Sequence, residues 1–281
     1  MKKKEGVRIT KASGDKVPFD ASQLRKSLER SKAEDSAIDL VVESVSAMLY
    51  EGMSTREIYR NAFGLLRKQS RATAARYKLK NAIMELGPAG FAFEKFVAAL
   101  LNAEGFKTHT GEIVQGRCVK HEVDVIAERG NQRCMIECKF HSFKGKFSDV
   151  KIPLYIRSRF VDVKEAWGAE PEHEGKEFEG WVVTNTRFTT DAEQYGGCVG
   201  LKMISWDSPI GNSIKERIDR SGLHPITSLT SITLAEKKAL LAMDIVLCSD
   251  LIRIPQLLGK VGITKRRMNR VQKEVTQLCH H

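Results

Sequence analysis

The first third of the chain combines a short strand pattern with several amphipathic helix patterns. β-Prone residues 7–10 and 17–19 flank a turn-rich stretch, and this arrangement predicts a β-hairpin. Polar capping residues then open a helix to about residue 31, and Ser54 with Glu57 forms the capping-box pattern of a later helix. We therefore expect a hairpin followed by a bundle of helices.

Residues 90–104 carry apolar side chains at helical spacing, which predicts an amphipathic helix. Glu94 interrupts its apolar side, because the residues three, four and seven positions on are Val97, Ala98 and Leu101. An unpaired carboxylate at such a position is costly. We expect Glu94 either to form a structural salt bridge or to belong to a functional site.

A second hairpin follows, with strands over 121–127 and 133–140. On the later strand Glu137 and Lys139 project together from the face opposite to the apolar one, and Asp124 projects from the earlier strand. Pairing of the two strands would bring the carboxylates of Asp124 and Glu137 close together.

The remaining pattern divides the chain at the Gly and Pro residues near 87 and 212. It predicts further strands near 181–184 and 201–206, and further helices that begin near 148 and 190 or cover 234–244, 249–258 and 264–278. The predicted fold is α+β and multidomain. Its parts are an N-terminal β-hairpin plus helical bundle (1–87), a central α/β core with a mixed sheet (88–212) and a C-terminal all-α domain (213–281).

The 281 residues include 46 Lys and Arg against 35 Asp and Glu, which gives a net charge of +11. The excess lies in the two flanking segments, and the central segment is slightly acidic. Basic flanks are suited to hold a polyanion, although they also serve solubility, and charge alone leaves both interpretations open.

Composition excludes several classes of protein. The hydrophobic fraction of 42% is that of an ordinary globular protein, and no run approaches the ~20 apolar residues of a membrane helix. The six cysteines form no CxxC pair, so neither a disulfide scaffold nor a zinc ribbon is indicated. We expect a cytoplasmic protein that does not act in a membrane.

Asp124, Glu137 and Lys139 together are suited to metal-dependent phosphate chemistry. Mg²⁺ is usually held by one or two carboxylates, and a neighbouring lysine can orient a water or stabilise developing charge. Taken alone the pattern is common, and solvated strand residues are the alternative interpretation. Only the helices and strands around these residues can decide between a metal site and solvated strand residues.

Those elements make residues 88–207 resemble the PD-(D/E)xK nuclease core, and among its branches the Mrr-like restriction endonucleases. The likeness rests on Phe93-Glu94 in the first helix, Asp124 before the hairpin, and Glu137-Cys138-Lys139 after it. The resemblance implies an αβββαβ layout and Mg²⁺-dependent hydrolysis of DNA phosphodiesters. It also implies that Asp124 and Glu137 hold the metal, with Lys139 and Glu94 assisting.

Residues 6–86 resemble the ATP-cone of ribonucleotide reductases and their repressor. The matching positions are Ile9, Lys11, Ser13, Gly14, Phe19, Asp20, Gln23, Leu24, Thr55, Ile58 and Ala75-Arg76-Tyr77. The resemblance implies an allosteric site for ATP or dATP that includes Ile9, Lys11, Gln23 and Thr55, and a tendency to form homo-oligomers. Ala12 and Gln23 stand where the family commonly has basic residues, which leaves open whether this cone binds nucleotide.

Two groups of basic residues are candidates for contact with DNA phosphates. Lys151, Arg157 and Arg159 lie on the predicted helix after 148, where solvated charges are the equally open alternative. The C-terminal segment loosely resembles a helix-hairpin-helix, followed by a basic helical face, with a dimerising or merely soluble helix as the alternative. The basic residues of that face are Lys265, Arg266, Arg267, Arg270 and Lys273.

The sequence thus predicts a Mg²⁺-dependent DNA endonuclease of restriction or defence type, regulated by ATP or dATP. Its expected partners are DNA, an adenine nucleotide and further copies of the chain. One alternative is a nucleotide-responsive DNA-binding regulator that does not cleave. Another is a repair or recombination nuclease that acts on branched DNA.

Overall fold

The computed structural model describes residues 6–11, 13–88, 90–143 and 145–279. No helix within these ranges is long and apolar enough to span a membrane. The strands are β1 Arg8–Thr10, β2 Lys16–Pro18, β3 Lys107–Gln115, β4 Lys120–Arg129, β5 Gln132–Lys139, β6 Phe147–Ser148, β7 Glu177–Thr184, β8 Arg187–Phe188 and β9 Lys202–Ile204. The α-helices are α1 Ala21–Glu29, α2 Asp35–Met48, α3 Thr55–Gln69, α4 Arg71–Tyr77, α5 Leu79–Met84, α6 Phe91–Ala103, α7 Lys151–Ala169, α8 Thr190–Cys198, α9 Ile214–Ser221, α10 Leu234–Ala242, α11 Cys248–Arg253, α12 Leu257–Lys260 and α13 Lys265–Cys279.

Strands between residues 107 and 204 form a mixed five-stranded sheet in the order β3-β4-β5-β7-β9. The pairs β3-β4 and β4-β5 are antiparallel, and β5-β7 and β7-β9 are parallel. Helix α7 covers one face through Ile156, Phe160 and Val163, which pack with Met135 and Val182. Five consecutive residues of β5, from Cys134 to Cys138, are buried, so side chains on both faces of this strand are covered. The mixed sheet expected for the central part of the chain is confirmed, as is the α+β class expected for the whole.

The N-terminal hairpin and helices begin where the sequence predicts them. Strands β1 and β2 pair antiparallel with Ile9 opposite Val17. Ser54 and Glu57 form a complete capping box, in which each side chain bonds the backbone of the other residue. Helices α1, α2 and α3 bury one apolar core whose fully buried members include Leu28, Ile38, Val41, Val45, Ala62 and Leu66.

The described chain forms two compact units, a division that differs from the three predicted parts. The first unit contains the described residues up to 81, residues 228–238, and those from 251 onward; the second contains 82–227 and 239–250. The segment 213–281 therefore does not form a unit of its own. Helix α13 packs against α4 of the first unit, and Arg76 donates a hydrogen bond to the carbonyl of Gln277 at 2.9 Å.

The helix predicted over 249–258 is wrong in its continuity. The structure has two short helices there, α11 and α12, with Pro255 between them. Proline lacks a backbone N–H and its ring clashes with the preceding turn, so the helix ends before it. Helices α10 and α13 lie where the capping and apolar patterns predict them.

Candidate functional site

The second hairpin positions Asp124 beside the last residues of β5, just past the point where the pairing of β4 with β5 ends. Ladder pairing of β4 with β5 runs from Arg129 opposite Gln132 to Val125 opposite Ile136, and ends there. One residue further along β4, the Asp124 carboxylate accepts a hydrogen bond from the Cys138 backbone N–H at 2.7 Å. The carboxylate thus takes the place of a backbone partner and is held against the strand that carries Glu137.

Glu137 lies in the buried middle of the sheet, with only 5% of its surface exposed. Lys139 Nζ lies 2.5 Å from its Oε1, and the Arg159 guanidinium donates to its Oε2 at 2.7 Å. A buried carboxylate is tolerated only when it is paired and hydrogen-bonded, and here two cations meet that requirement.

Arg159 is the site residue that the sequence did not identify as such. It was a candidate for DNA contact, whereas the structure places it on Glu137 and on the backbone carbonyl of Glu122. A sequence signal was present: Arg159 lies three residues after Ile156 and four before Val163, both of which face the core. An arginine on that stripe requires a buried partner.

Glu94 on α6 brings a third carboxylate to this region. Its pKa is raised to about 7, first by burial and then by the charges of Asp124, Glu122 and Glu137. Burial, followed by the charge of Glu137, raises the pKa of Asp124 to about 6. Glu94, Asp124, Glu137 and Lys139 are therefore close enough for their charges to act on one another, as the sequence predicts.

Such a donor set fits a hard divalent cation. Its carboxylate oxygens are the ligands that Mg²⁺ prefers, and the mutual repulsion that raises two of the pKa values is relieved by a cation among them. Among the described residues, the group whose ligand atoms already converge within 4.8 Å is a different one, Glu170, Glu172 and His173. His173 is packed against Trp167 and Phe178 beyond the end of α7.

Other residues near the site in sequence have different partners in the structure. His121 Nε2 lies 2.7 Å from Asp162 Oδ2, and this hydrogen bond is the main reason that the pKa of Asp162 is held at about 2. Cys138 is buried, and burial raises the pKa of its thiol well above the ordinary value. Lys151 on α7 is exposed and Arg157 is half-buried.

The four residues expected to bind nucleotide meet in one cleft of the first unit. Ile9, Lys11, Gln23 and Thr55 line a cleft of about 460 Å³. Three aromatic residues that the sequence did not assign to it also line its wall: Phe19, Tyr59 and Tyr77. The rings of Tyr59 and Tyr77 stack with centroids 5.0 Å apart. Ala12, whose identity departs from the cone pattern, lies outside the described residues.

The basic face expected on the last helix is divided in the structure. Lys265 and Arg266 are exposed at the start of α13. The Arg267 guanidinium instead donates to Glu236 at 2.5 Å and to the Ser231 carbonyl at 3.1 Å. Arg267 thus links α13 to α10 and to the segment before that helix, and its contact with DNA stays a prediction.

Comparisons with known proteins agree with the central part of this picture. Residues 88–208 match the family model described as "Restriction endonuclease", and residues 224–279 match "AF1548-like, C-terminal". An uncharacterized protein of Archaeoglobus fulgidus is 35% identical over 183 residues, which are 65% of this chain and 99% of the relative. A crystal structure of a protein of unknown function, AF1548, superposes with a TM-score of 0.55 at 34% identity, over 67% of this chain and 97% of that one.

Proposed function

The chain belongs to the AF1548-like family and carries a restriction endonuclease domain, and from this membership we propose that it is a Mg²⁺-dependent DNA endonuclease. The observation that supports this most is the group of Asp124, Glu137 and Lys139 on one hairpin, with Glu94 beside it. A restriction or defence role fits the matched domain type.

In this proposal Asp124 and Glu137 hold the ion, and Glu94 supports it or its waters. A bound Mg²⁺ supplies a Lewis acid that polarises the scissile phosphate and lowers the pKa of a water. Lys139 orients the attacking water or stabilises the negative charge that develops on the phosphate. The Cys138 N–H keeps the Asp124 carboxylate in place through its 2.7 Å hydrogen bond.

Arg159 acts as a positioning residue for Glu137. Its guanidinium fixes one carboxylate oxygen at 2.7 Å, while Lys139 contacts the other at 2.5 Å. With both oxygens fixed and the carboxylate buried, the rotamer of Glu137 is set before substrate arrives. A carboxylate that is already oriented in this way helps a catalytic site to place a reacting phosphate accurately.

We further propose that the cleft of the first unit binds ATP or dATP and that this binding regulates cleavage or assembly into homo-oligomers. The cleft offers Lys11 for phosphates and the rings of Phe19, Tyr59 and Tyr77 for a base. Regulation requires the nucleotide to prefer one state of the protein over another by ~1–3 kcal/mol.

The test is cleavage of modified and unmodified duplex DNA in Mg²⁺, with and without ATP or dATP. We expect Asp124→Asn to abolish cleavage, because the amide oxygen can still accept from Cys138 N–H whereas the negative charge is lost. Glu165→Gln is the matched control, since this α7 carboxylate pairs with Arg117 on the surface. Equal cleavage by Asp124→Asn and the wild type would refute the proposed site.

The two alternatives from the sequence have distinct signatures in the same assay. A nucleotide-responsive regulator binds DNA and cuts no substrate, in which case the carboxylates serve structure alone. A repair or recombination nuclease cuts branched DNA and leaves plain linear duplex intact. Junction and linear substrates are therefore assayed side by side.

A further inference from the structure

A second cleft of the first unit is lined almost entirely by basic and polar side chains. It has a volume of about 740 Å³ and lies among the end of α3, the start of α4 and one face of α13. Five cations line it: Arg67, Lys68, Arg71, Arg270 and Lys273. Arg270 and Lys273 are three residues apart on α13, so both project from one side of the helix while Val271 and Val275 are buried on another.

Most of this positive charge is not neutralised within the protein. Among the described residues, Lys68, Arg270 and Lys273 form no ion pair, and Arg71 donates a hydrogen bond only to the Thr230 hydroxyl at 3.3 Å. The carboxylate in the lining, Glu274, is buried and accepts from the backbone N–H groups of Thr230 and Ser231. Glu274 is thus occupied in holding the cleft wall.

A second observation points to a ligand in the same place. Ser231 lines the cleft and is only 5% exposed, and within the described part of the chain its hydroxyl has no hydrogen-bond partner. Buried hydroxyls almost always have a partner, and an exception calls for an explanation. The hydroxyl oxygen itself is shielded from the cleft, so a phosphate oxygen would accept from it only if the wall at Ser231 opened.

The lining also indicates what kind of phosphate compound fits. Aromatic rings and an apolar floor, which a nucleoside requires for stacking, are present in the nucleotide cleft as Phe19, Tyr59 and Tyr77. The basic cleft is lined by Arg, Lys, Gln, Ser, Thr and Glu. Such a surface recognises a chain of phosphates and not a base.

We propose that this basic cleft binds the phosphate backbone of DNA and does so without reading its sequence. The proposal rests on the proposed function only in taking DNA as the polyanion. It adds Arg67, Lys68 and Arg71 to the candidate DNA contacts and groups them with Arg270 and Lys273 of α13.

The experiment measures binding of labelled duplexes of two unrelated sequences to the full chain, in EDTA and over a series of salt concentrations. One variant is Arg270→Gln with Lys273→Gln on α13, and a second is Arg67→Gln with Lys68→Gln on the opposite wall. The control is Arg30→Gln with Lys238→Gln, which removes the same charge from exposed positions of the first unit that line neither cleft. Thermal unfolding confirms that each variant is folded.

We expect each cleft variant to bind both duplexes about tenfold or more weakly, and the slope of log affinity against log salt to fall by about two. The control should stay within about twofold of the wild type. Cleft variants that bind DNA like the control would overturn the proposal. Inorganic triphosphate binding is measured in parallel, and cleft variants that lose it while keeping full DNA affinity would make the cleft a site for a small polyphosphate and overturn the proposal.

Because binding is measured in EDTA, the result is independent of cleavage. A protein that cuts nothing yet loses DNA binding in both cleft variants supports the cleft and refutes the nuclease. The reverse outcome, full cleavage by the wild type with unaltered binding by the variants, supports the nuclease and refutes the cleft.

Discussion

The two units of the protein differ in charge and in the kind of site that they carry. The described residues of the first unit include 24 Lys and Arg against 11 Asp and Glu, whereas those of the second include 18 against 23. The second unit holds the buried carboxylates, whereas the first holds the basic cleft and a mostly apolar cleft that includes Lys11. A cluster of carboxylates repels a polyanion, so affinity for DNA has to come from cations elsewhere in the chain.

The comparison also separates two ways of using a cation. In the second unit Lys139 and Arg159 both contact Glu137, and together they stabilise its buried negative charge. In the first unit Lys68, Arg270 and Lys273 line an open cleft and remain available to a ligand. The same residue types therefore pair with a buried carboxylate in one unit and line an open cleft in the other.

The largest loss of stability is expected when the buried ion pair of Arg159 with Glu137 is broken. Arg159→Met removes one of the two cations on Glu137 and should lower stability by ~3–5 kcal/mol, because an uncompensated buried charge is left behind. Arg157→Met, two residues away and half-buried on the same helix, is the matched control and should cost less than ~1 kcal/mol. Urea unfolding of both variants measures the difference.

The Arg159→Met variant, compared with the wild type, also tests positioning as distinct from stability. At a temperature where both are folded, Arg159→Met should lower the rate of cleavage at saturating DNA while leaving the affinity for DNA in EDTA unchanged. A parallel loss of DNA affinity would instead indicate that Arg159 contacts the substrate.

A smaller effect with a defined pH dependence is expected from Glu94→Gln. The folded-state pKa of Glu94 is about 7, above the ordinary 4.5, so its ionisation disfavours folding. This penalty is absent below pH 4.5, grows as the pH rises, and is complete above pH 7. After allowance for solvent screening of a half-buried group, we expect Glu94→Gln to be ~1–2 kcal/mol more stable than the wild type at pH 8 in EDTA.

The control for that prediction is the same comparison of wild type and Glu94→Gln at low pH. At pH 4 the two proteins should have equal melting temperatures, since Glu94 is then protonated in both states. Excess Mg²⁺ at pH 8 should stabilise the wild type more than Glu94→Gln if this carboxylate supports the ion. A variant that is less stable than the wild type at pH 8 in EDTA contradicts the prediction.

The ionised carboxylate of Asp162 should stabilise the fold, opposite to the effect of ionised Glu94. Its pKa is held at about 2, below the ordinary 3.8, chiefly by the hydrogen bond with His121. It therefore contributes stability above about pH 4, and this is lost as the pH falls toward 2. We expect Asp162→Asn to melt at a lower temperature than the wild type at pH 6, with the gap closing as the solution is acidified.

The smallest effect is expected from Lys11, in the cleft of the first unit that is proposed to bind nucleotide. Lys11→Gln should weaken ATP or dATP binding by about tenfold, because it removes a point charge from the phosphate side of the cleft. Lys16→Gln, on the neighbouring strand and exposed, is the matched control. Calorimetric titration measures both, and equal affinities would show that Lys11 does not contact the nucleotide.

Local signals in the sequence were sufficient for much of this molecule. The hairpins, the capping box of Ser54 with Glu57, and the alternation around Glu137 and Lys139 all depend on residues close together in the chain. The break at Pro255 also follows from a local signal, because proline cannot continue a helix. The continuous helix predicted over 249–258 did not take this signal into account. The resemblance to a nuclease core connected these local patterns to one site.

The sequence by itself determined many of the strands and helices and the candidate carboxylates, because backbone hydrogen bonding and side-chain period are short-range properties. Only the tertiary structure decided that Arg159 meets Glu137, that α13 packs on α4, and that five cations share a cleft. These are contacts between residues distant in the chain, and they are selected by the burial of whole apolar faces and not by any local pattern.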